Sequence, residues 1–175
     1  MLEATIKLLA VEGLARMSMD RVAAEAGVSK VTVYTRWKSK SELIGAALEH
    51  LQVDHVPVNS GVVRDDLVAH LDAMRRQYDE VGGMAIVGNC LADEPVSGDL
   101  LATIRRSTLL PRRENVAAVI RAGIDRGDLA ADTDVERLVS ALLGNLYADH
   151  LAGRAIGPDW AADVVDAVLP AFLPR

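Results

Sequence analysis

A single cysteine, Cys90, stands in 175 residues. No internal disulfide can form, and no cysteine cluster can hold a metal; a small buried thiol is the expectation. Aromatic residues make up 3% of the chain, although half of it is hydrophobic. Any core is therefore built from Ala, Leu and Val. No apolar run approaches the roughly 18–20 residues that span a bilayer. Residues 1–13 carry Glu3, Lys7 and Glu12 among their apolar positions, which is not the pattern of a secretory leader. A cytoplasmic location is the default expectation. The four histidines, His50, His55, His70 and His150, are scattered, and no His-Glu-x-x-His motif occurs. Neither Gly82-Gly83 nor Ser97-Gly98-Asp99 is followed by Gly-Lys-Ser/Thr. The expectation is no metal, no cofactor and no catalytic residue: an enzyme needs a convergent acid–base or nucleophile–base pair, and none is visible.

What is present is an uneven charge. All four lysines lie in the first 40 residues. Residues 1–51 hold seven Lys or Arg against six Asp or Glu, whereas residues 52–175 hold twelve against nineteen. From Ala26 to Ser41 there is no acid at all, yet Lys30, Arg36, Lys38 and Lys40 fall there. That split suits a nucleic-acid-binding head on an acidic body.

The cationic stretch reads as two short helices joined by a tight turn. Ser18 is an N-cap candidate for the first, on which Val22, Ala23 and Ala26 share a face. Gly27 supplies the positive φ that ends it. Ser29 caps a second helix from Lys30 to about Trp37. Val33 and Trp37, four residues apart, lie on its packing side. The opposite side carries Val31 and Thr35, flanked by Thr32 and Tyr34. Such a face suits the DNA major groove, where hydroxyls reach phosphates or base edges and methyls meet thymine methyls. Lys38 and Lys40 suit phosphate contact. Ser39-Lys40-Ser41-Glu42 is a capping box. It opens a helix with Leu43, Ala47 and Leu51 on one face, whose free amides offer a second phosphate point.

Val22-Ala23, Ala26-Gly27-Val28-Ser29, Thr32, Tyr34, Trp37, Lys38-Ser39-Lys40 and Leu43 together resemble the DNA-binding domain of the TetR family of bacterial transcriptional repressors. The resemblance covers residues 2 to 51 closely. Ala122 to Leu129 further resembles a turn between two helices of that family's C-terminal domain. Two positions depart from the pattern: Val31 stands where the family often has Gly, and Trp37 replaces the more usual Phe. The family usually has a few more residues, often basic, ahead of its first helix, and the sequence begins inside that helix. The resemblance implies an all-α fold with an N-terminal three-helix helix-turn-helix domain (1–52) and a C-terminal helical domain (62–175) for ligand binding and dimerisation. The DNA-contacting set would be Ser18, Ser29, Lys30, Val31, Thr32, Tyr34, Thr35, Arg36, Lys38 and Lys40.

Val53 to Gly61, with Pro57 and Asn59, has the composition of a linker. Helical spacing resumes at Leu67, Leu71, Met74 and Tyr78 and breaks at Gly82-Gly83. A shorter helix follows from Met84 to Ala92. The next runs from Leu100 to about Arg126, and Pro111 should kink or interrupt it. Arg105-Arg106 and Arg112-Arg113 read as helix-surface charge balanced by Glu114 and neighbouring acids. Two helices end the chain, the first with Val135, Leu138, Val139, Leu142, Leu143, Leu146 and Tyr147. The second has Trp160, Val164, Val165, Val168, Leu169 and Phe172, with Pro158 suited to its first turn. Their wide apolar faces, with small residues interspersed, suit both a core and a homodimer interface over 134–173, as the resemblance implies. It also implies a small-molecule effector, for which Met74, Tyr78, Met84, Asn89 and Cys90 are lining candidates.

The function expected is a ligand-responsive repressor that binds a palindromic operator as a homodimer, with Gly13 and the loop at Pro57 as pivots. The alternative is a helical adaptor whose helix-turn-helix binds protein rather than DNA.

Overall fold

The computed structural model describes residues 1–51, 60–93, 95 and 98–174, and no strand occurs among the described residues. Most of the expected linker, with Pro57 and Asn59, lies outside them, as do His55 and Ser97. The chain forms two compact units, Met1–Val53 with Tyr78–Leu110, and Asp54–Gln77 with Pro111–Arg175.

The first unit contains α1 (Leu2–Arg16), α2 (Met19–Glu25), α3 (Lys30–Arg36) and α4 (Lys40–His50). It also contains the last turn of α5 (Val63–Val81), then α6 (Gly83–Asp93) and α7 (Asp99–Ile104). One apolar core joins them: Leu9, Val22, Val33, Leu43 and Leu48 are buried together with Ile86, Cys90, Leu100 and Leu101. One division between the units, between Val53 and Asp54, falls in the expected linker, and residues 78–110 return to the first unit. α1 and α4 each carry more apolar residues than one neighbour can cover, and both pack against later helices, α1 on α6 and α4 on α7. Helices of six to fifteen residues are marginal in isolation, and such packing is what holds them.

α1 is broken internally. Gly13 has φ 76° and ψ 169°, a region nearly closed to side chains with a Cβ. α7 continues through one π-helical turn, Arg105–Leu109, into α8 (Leu110–Arg126). The expected interruption at Pro111 takes this form: the widened turn accommodates a ring with no N–H to donate. A π turn also adds a residue and rotates the following faces by about 100°. Arg112 is not surface charge: it lies four residues before Val116 on the buried face of α8, at 4% exposure, and its guanidinium bonds the side-chain oxygen of Gln77. Glu114 pairs with Arg121 instead, while Arg113 pairs with Glu136 at 2.6 Å and Arg106 with Glu49 at 3.2 Å.

The second unit holds most of α5, all but the first residue of α8, α9 (Val135–Leu151) and α10 (Trp160–Val168). A short 3-10 turn, Leu169–Phe172, closes it. Leu67, Leu71 and Met74 of α5 are buried, as are Val116 and Ile120 of α8 and Leu138, Val139, Leu142 and Leu146 of α9. Trp160, Ala161, Val164 and Val165 are the buried face of α10. The Trp160 indole N–H donates to Asp149 at 3.0 Å, tying α10 to α9. Asp134 caps α9 by accepting from the Arg137 amide. Pro158 stands in a turn two residues ahead of α10 rather than in its first turn.

Candidate nucleic-acid interface

α2 and α3 form the helix-turn-helix, and local chemistry sets their ends. The Ser18 hydroxyl accepts from the Arg21 amide at 3.3 Å, and the Ser29 hydroxyl from the Thr32 amide at 3.1 Å. Each satisfies a donor that the helix itself leaves open. Gly27, at φ 64°, lets the Val28 amide turn back to the Ala23 carbonyl at 3.0 Å. Val33 is fully buried and Trp37 nearly so. Val31 is 74% exposed and Tyr34 52%, and Thr32, Thr35 and Arg36 are exposed beside them.

Several polar groups on this surface already have partners. The Lys30 ammonium donates to Asp20 at 2.6 Å. That bond holds the Asp20 carboxyl below its usual range, with the Tyr34 hydroxyl helping, and raises the Lys30 ammonium above its own. The Thr32 hydroxyl bonds that of Ser29 at 2.8 Å, and the Thr35 hydroxyl donates to the Val31 carbonyl at 2.7 Å. The Arg36 guanidinium lies 5.4 Å from the Trp37 ring centroid, within cation–π range. The sequence pattern does not single out Asp20, because its partners lie 10 and 14 residues on, at no helical spacing.

Beyond α3 the backbone enters α4 through the expected cap. The Ser39 hydroxyl accepts from the Glu42 amide at 3.1 Å, while Glu42 reaches back to the Lys38 amide at 2.7 Å, one residue earlier than a capping box has it. Lys38 is exposed. Lys40 differs from the expectation: it is half-buried, and its ammonium donates to the carbonyls of Leu14 (2.8 Å) and Met17 (3.4 Å). It neutralises the open carbonyls that end α1.

Two effector candidates have other work. Asn89 clasps the α1 break: its side-chain oxygen accepts from the Leu14 amide at 3.0 Å, and its amide nitrogen donates to the carbonyls of Leu9 (3.3 Å) and Ala85 (2.7 Å). Both backbone groups at the break are thereby satisfied, across 75 and 80 residues of sequence. Cys90 is fully buried in the core of the first unit, where desolvation pushes its thiol up to about 11. Met74 and Tyr78 are buried and Met84 half-buried. None of the five lines either of two surface cavities. One, of about 460 Å³, lies between α1, α4 and the end of α5. The other, of about 470 Å³, lies around Val63, Asp166 and Leu169. No cluster of His, Cys, Asp or Glu among the described residues could hold a metal ion. No helix among them is long and apolar enough to cross a membrane.

A capped two-helix motif with an exposed cationic reading helix, on a wholly helical body, defines a helix-turn-helix DNA-binding regulator. Residues 1–47 match the family described as bacterial regulatory proteins, tetR family, and residues 57–168 match the tetracyclin repressor-like C-terminal domain. The chain belongs to the TetR family and is a DNA-binding transcriptional regulator. It is 31% identical over 178 residues to an uncharacterized HTH-type transcriptional regulator of Mycobacterium tuberculosis, covering 100% of this chain and 87% of that one. It is also 31% identical to the DNA-binding transcriptional repressor TetR of Mycobacteroides abscessus, over 97% of this chain and 90% of the other. A TetR transcription regulator from Haloarcula marismortui shares the fold, with a TM-score of 0.79 at 23% identity over 99% and 96% of the two chains.

Proposed function

We propose that this protein is a homodimeric, effector-responsive repressor. Each subunit lays α3 in the major groove of one half of a palindromic operator, with half-sites about one helical turn, 34–36 Å, or a multiple apart. The observation that carries this is the division of α3: Val33 and Trp37 sealed beneath, and Val31, Thr32, Tyr34, Thr35 and Arg36 turned out. Ser18, Ser29, Lys30 and Lys38 flank that face. The Lys30–Asp20 pair is exposed, and such pairs contribute little to stability, so Lys30 is free to exchange Asp20 for a phosphate. Lys40 belongs to this set by orienting the start of α4 rather than by reaching DNA.

Dimerisation through residues 134–173 is supported by the outer face of α9. Ala141 and Gly144 are half-buried, and Ala148 and Leu151 are exposed, Leu151 at 85%. Small residues there permit close approach of a second helix. The effector reading rests on family membership, with Met74, Tyr78 and Met84 as remaining candidates. Ligand binding shifts the operator-binding equilibrium only through a difference in affinity between the two conformers. In vitro selection of duplexes from a random pool tests DNA binding, symmetry and spacing together. Recovered sequences with a two-fold repeat at helical spacing are expected, and an unenriched pool defeats the reading.

A further inference from the structure

Resting on the assignment of α3 to the major groove, we infer that this helix selects its half-site chiefly through the 5-methyl groups of thymines, packed against Val31 and Thr35. The argument is one of elimination by chemistry. Residues 30–36 contain no Asn, Gln, Asp or Glu, the side chains that pair with adenine and cytosine edges. The two cations suited to guanine stand at the ends of the helix. Lys30, once released from Asp20, is assigned to a phosphate, and Arg36 lies over Trp37.

The hydroxyls in the centre are also engaged, Thr32 with Ser29 and Thr35 with the Val31 carbonyl. With its donor spent on the Val31 carbonyl, the Thr35 hydroxyl can only accept, and its γ-methyl is the apolar group it offers. Val31, one turn earlier and 74% exposed, has only methyls. An exposed valine on a short surface helix gains nothing for the fold, whereas it gains burial against a thymine methyl, the apolar mark of the major groove. One turn of helix, about 5.4 Å, places the two contacts on thymines about one or two base-pair steps apart.

The test uses the full chain and the duplex recovered by selection. Each thymine of a half-site is replaced singly by deoxyuridine, which removes the methyl and leaves every pairing edge intact. Affinity is read by fluorescence anisotropy at fixed salt. One or two positions per half-site are expected to weaken binding about four-fold each, and about fifteen-fold when both half-sites carry the change, from the burial of one methyl. Val31→Ala should bind more weakly and lose the deoxyuridine effect at one of these positions. An operator that binds with a clear salt dependence, yet tolerates deoxyuridine everywhere within two-fold, overturns methyl readout while sparing the DNA-binding assignment. A Val31→Ala protein with undiminished deoxyuridine sensitivity overturns the role of Val31. Absence of any duplex binding removes the functional reading itself, and this inference with it.

Discussion

In the unit built on residues 1–53 and 78–110, α2 and α3 have seven residues each, α4 and α6 eleven, and α1 is broken at Gly13. In the other unit α8 and α9 have seventeen residues each. The difference shows in where polar side chains act. Ser18, Ser29, Ser39, Asn89 and Lys40 all bind backbone groups at helix ends or at the break of the first unit. In the second, beside the Asp134 cap of α9, Arg64 grips Asp166 at 2.6 Å, Arg113 grips Glu136, and Trp160 grips Asp149, joining faces and segments. A short helix has few internal hydrogen bonds, so its open end groups are a large share of its backbone. A long helix is decided by the stripe it buries. Both units are held by apolar packing, and in the first directional bonds also fix the helix ends.

Substitutions can break or sharpen that contrast. The largest loss is expected for Leu142→Ala in α9, where a fully buried side chain leaves a cavity. Urea denaturation should show about 3 kcal/mol lost, with the operator affinity of the remaining folded protein little changed. Gly13→Ala comes next. It forces a Cβ into a left-handed φ and to 3.0 Å from the Asn89 oxygen, for about 2 kcal/mol. Operator affinity should fall as well, because α1 carries the clasp. Unchanged stability would mean that α1 straightens and the break is not intrinsic.

Asn89→Ala leaves the Leu14 amide and Leu9 carbonyl without this partner and should cost about 1–2 kcal/mol. Native-state hydrogen exchange should then rise first around Leu14. Ser29→Ala removes a cap worth about 1 kcal/mol and should weaken operator binding, whereas Asp134→Ala, at the start of the long α9, should leave affinity untouched. Equal affinity losses at the two caps would erase the distinction between the units. The smallest effect is expected for Lys40→Ala. Affinity drops modestly, but the slope of log affinity against log salt stays the same, since no phosphate contact is lost. A slope shallower by about one counterion would place that ammonium on DNA.

Much of the reading head was legible because its determinants are local. Ser18, Ser29, Ser39 and Gly27 act on amides within a few residues, and Val33 and Trp37 share a face by helical spacing alone. The residues that escaped are those whose partners are remote. Asn89 reads as a ligand contact because nothing near position 89 announces a broken helix 75 residues earlier. Lys40 reads as a phosphate contact because its charge is visible in the sequence and the carbonyls of Leu14 and Met17 are not. Arg112 reads as surface charge because it is a cation, although it stands four and eight residues before Val116 and Ile120 on the buried face of α8.

The amino-acid order by itself determined the helices, their caps and the exposed character of α3, since hydrogen bonds and periodicity along one helix depend only on neighbours in the chain. Only the tertiary structure decided that α6 and α7 complete the core beneath the reading head, and that Asn89 and Lys40 hold α1 and α4 in place. Those bonds join groups brought close by folding, and which groups meet depends on how every intervening segment packs.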